Sequence, residues 1–143
     1  MAAIAPAAAQ SAPRFINPPG LSAPHGYTHE VDVPAGMRLV VISGQVALDS
    51  AGRIVGAGNM TAQATQVFEN LRVALAAVGA TFNDVIKLNN YLRNMGQSQA
   101  FLEVRDKYVN AAAPPASTTI EVRRLFREEF LVEVEAIVAV PNR

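Results

Sequence analysis

Two acidic residues in an apolar segment carry the clearest chemical signal in the chain. Residues 131–140 read LVEVEAIVAV. Alternation along a strand puts Glu133 and Glu135 on one face with Leu131 and Ile137, and Val132, Val134, Ala136, Val138 and Val140 on the other. Carboxylates in such company must reach solvent, a partner chain or a ligand. An exposed strand edge or a subunit contact satisfies them as well as acid–base chemistry does. Asn90 is the odd member of the row Ile86, Leu88, Leu92. A buried amide needs hydrogen-bond partners, and a core or interface role and a ligand contact both supply them. His25 and His29 are four apart, which suits a metal pair on a helix. Pro24 and Gly26 argue against a helix there, and no further ligand cluster accompanies them, so no metal site is expected. Arg123, Arg124 and Arg127 beside Glu128 and Glu129 read as a solvated charged turn. No phosphate-cradling glycine loop, zinc-protease helix or nucleophile elbow is present.

The elements that must position these residues follow from pattern and composition. A length of 143 residues fits one domain, and a 50% hydrophobic fraction supports a packed core. Twelve basic and twelve acidic residues cancel, so nothing draws the whole chain to nucleic acid or to anionic membranes. The absence of cysteine excludes disulfides, thiolate metal sites and a thiol nucleophile. No apolar run reaches the length of a membrane span. The start has no basic residue before its apolar run, which argues against a secretory signal and for the cytoplasm.

Residues 1–24, rich in Ala and Pro, are expected to form a flexible arm, with the domain proper at 25–143. Strands are predicted at 27–33, 37–43, 85–93, 117–123 and 131–140, the second of them buried on both faces. Helices are predicted at 60–78, striped by Ala64, Phe68, Leu71, Leu75 and Val78, and at 97–109, striped by Phe101, Val104 and Tyr108. Glu69 is expected to pair with Arg72, and Glu103 with Lys107. The order ββαβαββ is an α+β domain, with both helices on one face of a mixed sheet. So short a chain has no helix left for the other face, and oligomerisation is the natural cover.

Five segments in this order resemble the Rid/YjgF family of reactive intermediate deaminases: VISGQVALD (41–49), AQATQVFENLRVALAAVGA (62–80), DVIKLNNYL (84–92), PASTTIEV (115–122) and LVEVEAIV (131–138). The resemblance implies a chorismate-mutase-like fold. It also implies a homotrimer whose sheets wrap a central barrel and whose clefts lie between neighbouring subunits. Deaminases of the family add water to small 2-imino or enamino acids without a cofactor. In them an arginine in a P-A-R-S motif grips the substrate carboxylate, and a last-strand glutamate holds the water. Carried over position by position, Tyr27, Ser43, Gly44 and Thr119 line the pocket and Glu135 is the acid.

The departure falls at Pro115-Ala116-Ser117, where Ser117 takes the place of the arginine. A hydroxyl supplies neither the charge nor the bidentate fork, a loss of about 2–5 kcal/mol in carboxylate binding. The usual deaminase activity is therefore not expected. Arg105 stands where the deaminases carry a ligand-facing asparagine. Its neighbours three and four positions away are Phe101, Leu102, Tyr108 and Val109, so its own helix offers no acidic partner. Two roles fit it. It enters the cleft and replaces the missing charge, or it pairs across the subunit contact, with Glu135 among the candidates.

Three functions follow. The chain is a water-mediated, cofactor-independent enzyme with Glu135 as base, acting on a small carbonyl- or carboxylate-bearing compound. Or it is a module that holds a metabolite without turnover. A ribonuclease or translation inhibitor is the third, and neutral charge with few aromatics weakens it most.

Overall fold

A computed structural model describes residues 11–142. Eight elements follow in order: β1 (Arg14–Ile16), β2 (Glu30–Asp32), β3 (Met37–Gln45), α1 (Met60–Ala77), β4 (Val85–Leu92), α2 (Ser98–Arg105), β5 (Ala116–Glu121) and β6 (Val132–Pro141). Short 3-10 turns at Phe82–Asp84 and Met95–Gln97 lead into β4 and α2.

The main sheet has strand order β3-β6-β4-β5. β6 runs antiparallel to β3 and β4, and β4 runs parallel to β5, so the sheet is mixed. One face packs on the helices. Val132, Val134, Ala136 and Val138 of β6 join Leu88 and Leu92 of β4, Phe68, Leu71 and Leu75 of α1, and Phe101 and Val104 of α2 in a single buried core. Phe68 is its hub, stacked on Tyr108 at 5.2 Å with Phe82 and Phe101 tilted around it at 6.0 Å. The other face is open. Leu39 and Val41 of β3 and Ile120 of β5 are 57%, 77% and 45% exposed, beside Glu133, Glu135, Asn89 and Tyr91. The strand at 37–45 is therefore covered on one face only within this chain.

Local chemistry sets the ends of α1. Asn59 accepts from Ala62 N at 2.9 Å as N-cap. Gly79, at φ 72°, turns the chain out in the left-handed conformation that a side chain would strain. Thr81 and Asp84 close a reciprocal capping box that starts the approach to β4.

Four expectations change. Of the arm read over 1–24, residues 1–10 lie outside the described residues, while Arg14–Ile16 form a strand paired with Glu30–Asp32 and fastened by the Arg14–Asp32 ion pair. The strand expected over 27–33 is correspondingly short, with Thr28 bridging to Ala116 beside β5. The helix expected to reach 109 stops at Arg105, because bonds three residues apart (Lys107 N to Val104 O, Tyr108 N to Arg105 O) tighten the chain and bring Tyr108 onto Phe68. Glu103 consequently bonds Gln99, at 3.1 Å, and not Lys107. The Glu69–Arg72 pair forms as expected, at 2.6 Å, and Tyr108 Oη adds a bond to the same carboxylate.

Candidate functional site

The sheet register decides which candidate residues can meet. Asn89 faces Glu135 and Tyr91 faces Glu133, so all four side chains rise from the open face. Leu88 pairs with Ser117 and Asn90 with Thr119, so Ser117 and Thr119 lie on the helix side. Within one chain the sheet itself separates Glu133 and Glu135 from Ser117 and Thr119. The strands that carry Ser43-Gly44 and Ser117 are the two edges of the sheet, three strand spacings or about 14 Å apart.

The first half of the site is built on β3 and β6. The ladder slips between Ile42 and Gln45, which leaves Ser43-Gly44 in a bulge. A Cβ on Gly44 would overlap the Glu133 carboxylate, so glycine is what admits that group. Burial, with Glu135 nearby adding like charge, holds the Glu133 carboxyl above the usual glutamate value. Glu135 is held differently. Its Oε1 accepts from Asn89 Nδ2 at 2.9 Å and from Tyr91 Oη at 2.7 Å. It also lines a hollow of about 200 Å³ with Val41, Ser43 and Ile137. The carried-over acid position, Glu135, thus lies over Asn89 and Tyr91, while the carboxylate against Gly44 belongs to Glu133. Both follow from the alternation. Which of them meets the bulge depends on the β3–β6 register, which no local pattern displays.

The second half gathers around β5. Thr28 N bonds Pro115 O at 3.2 Å, which lays the segment carrying Gly26 and Tyr27 along the strand's start. The Tyr27 ring meets His29 edge-on at 5.2 Å, and the His29 Nε2 lies 2.8 Å from Ser22 O. Asn90, wholly buried, donates through Nδ2 to Ser117 Oγ and Thr119 Oγ1, both at 3.0 Å. Arg105 is 5% exposed and packs under Gly26. Because α2 ends at Arg105, the next residue turns back as a partner: Nε and Nη2 bond Asp106 Oδ1 at 2.9 and 2.7 Å. The helix expected over 97–109 would offer Arg105 no acidic partner; Asp106, just past the end of α2, is that partner instead. Among the described residues no group of His, Cys, Asp and Glu side chains is arranged to hold a metal ion, and no helix is long and apolar enough to cross a membrane.

The position of Glu133 carries a stability prediction. Its folded carboxyl titrates above the ordinary value of 4.5, so between the two values the native chain binds more protons than the unfolded one. That contribution is fully present below the unfolded value and is lost as pH rises through the folded one. Glu133→Gln is therefore expected to raise the urea midpoint at pH 7 and to leave it unchanged at pH 4.

This fold, an α+β domain with one open sheet face, matches a known class. The family model described as "Endoribonuclease L-PSP" matches residues 20–140, and the chain belongs to the Rid/YjgF family. Protein DfrA of Myxococcus xanthus is 36% identical over 126 residues, 88% of each chain. A protein named 2-iminobutanoate/2-iminopropanoate deaminase from Mus musculus is 34% identical over 120 residues, 83% of each chain. The crystal structure of YyfB from Yersinia pestis, a Rid-family protein of unknown function, superposes with a TM-score of 0.78 at 32% identity, over 90% of this chain and 98% of that one.

Proposed function

We propose that three copies assemble around the open sheet faces. The β3 edge of one chain then meets the β5 edge of the next, and each junction forms a cleft that binds a small carbonyl-derived metabolite. The observation that carries this is the division of the site: Glu133 against Gly44 on one face, Ser117 and Thr119 on the other face at the far edge. Only a second chain can complete such a site. The exposed Leu39, Val41 and Ile120 give the assembly its apolar contact. Trimers are typical of the family, and some relatives are named imine deaminases.

In the cleft Glu133 acts as the general base. Its raised carboxyl is better matched to proton transfer near neutrality than an ordinary glutamate. An enamine first takes a proton at its β-carbon to become the imine; Glu133 then takes a proton from water as the oxygen adds to the C=N carbon, and returns it to the nitrogen. Collapse of the adduct releases ammonia and leaves a carbonyl compound. Glu135, engaged by Asn89 and Tyr91, shapes the floor. The reaction calls for no cofactor, and a cytoplasmic setting suits it. Ser117 in place of the arginine separates this chain from a standard 2-imino acid deaminase, and Arg105 does not replace the charge, being bonded to Asp106.

The test pairs a solution mass with ammonia release from a panel of small imines and enamines, 2-imino acids included. A trimer is expected, with release from at least one member and turnover of 2-imino acids at least tenfold below that of the best substrate. A monomer at working concentration sinks the assembly. The missing guanidinium also favours a second reading, a binding module without turnover, and a trimer that binds panel members but releases no ammonia would establish it.

A further inference from the structure

The β5 half of the cleft ends in a neutral hydrogen-bonding cluster, and its wiring names the ligand class. Asn90 Nδ2 donates to Ser117 Oγ, to Thr119 Oγ1 and, at 3.2 Å, to Thr118 O. A backbone carbonyl only accepts, so Thr118 O fixes which end of the amide is nitrogen. The two amide protons are shared among these three acceptors, and each hydroxyl keeps its own proton to give. Among the described residues neither hydroxyl donates to a protein acceptor. Asn90 Oδ1, buried with no partner, leaves the cluster one donor short. The group thus offers two polarised O–H donors at the half-buried β5 face and one unfilled acceptor beneath them. Such a set complements a carbonyl or carboxamide, which accepts and donates without carrying charge.

The charges nearby point the same way. Arg105, the buried cation of this half, is paired with Asp106. In the other half, neither Glu133 nor Glu135 belongs to any ion pair among the described residues. A carboxylate would meet the unpaired Glu135 in the hollow, while Lys87, the cation on the same open face, has its Nζ engaged by Thr118 Oγ1 at 2.7 Å. Resting on the cleft described above, we propose that the site selects small neutral carbonyl compounds, carboxamides among them, and rejects their carboxylate counterparts.

The experiment compares pyruvamide with pyruvate on the full chain, by calorimetric or NMR titration at neutral pH. The expected result is pyruvamide bound at least tenfold more tightly than pyruvate, with Ser117→Arg reversing the order. Thr119→Val, which removes one hydroxyl with little change in shape, weakens pyruvamide and leaves pyruvate unchanged. It carries the test should Ser117→Arg fail to fold. Pyruvate bound as tightly as pyruvamide, or pyruvamide binding indifferent to Thr119→Val, overturns the proposed selectivity and leaves the cleft standing. If the native trimer binds neither compound, the cleft itself falls, and the selectivity with it.

Discussion

Chains carrying Glu133→Gln, mixed with an equal amount of chains carrying Ser117→Phe, are expected to regain about a quarter of the parent turnover, although each variant alone has almost none. Removing the base costs about 10²–10⁴-fold, the usual reach of general base catalysis. Filling the half-buried Ser117 position with a ring blocks the β5 half by bulk. If a cleft draws Gly44 and Glu133 from one chain and Ser117 and Thr119 from its neighbour, each half is intact with even odds in a random mixture. About one cleft in four then receives two intact halves. The rescue requires exchange of chains, so co-refolding restores activity and simple mixing of preformed trimers restores none. A site contained within a single chain gives no rescue under either protocol. Co-refolded trimers of full mass and no activity would therefore refute the shared cleft outright.

The same geometry shows where the sequence was transparent. Alternation in residues 131–140 placed both glutamates on one face and the valines on the other, and β6 has that arrangement because the core is built on its even positions. The stripe of α1 was equally plain, as was its glycine stop. Non-local facts were not legible. The choice between Glu133 and Glu135 at Gly44 depends on a bulge in β3. The opposition of Ser117 to the acids depends on β5 pairing with β4 in one particular register. Arg14–Ile16 became a strand because Glu30–Asp32 offered it an edge, which three residues of local pattern cannot announce. Arg105 gained Asp106 only because α2 ended early, and periodicity fixes a helix end poorly.

One buried polar side chain sits at a spacing from Met60 and Val67 that puts it on the apolar stripe of α1. Gln63 is wholly buried. Its Nε2 donates to Glu129 O at 2.7 Å, and its Oε1 accepts from Leu131 N at 2.8 Å. The amide is thus a clamp between α1 and the chain just before β6, two residues from Glu133. Gln63→Leu fills similar space but takes from Glu129 O and Leu131 N, both at a part-buried position, their amide partner. At about 0.5–1.5 kcal/mol for each hydrogen bond, the loss is roughly 1–3 kcal/mol. Gln63→Glu keeps an acceptor for Leu131 N while setting an oxygen against Glu129 O, so it too destabilises. Urea unfolding at fixed chain concentration measures both, since the midpoint of an oligomer depends on concentration. Turnover adds a second readout: at temperatures where the Leu variant is still folded, it loses activity because the strand carrying Glu133 is no longer anchored against Gly44. An unchanged midpoint would mean that water replaces the clamp, and unchanged turnover that the position of Glu133 owes nothing to it.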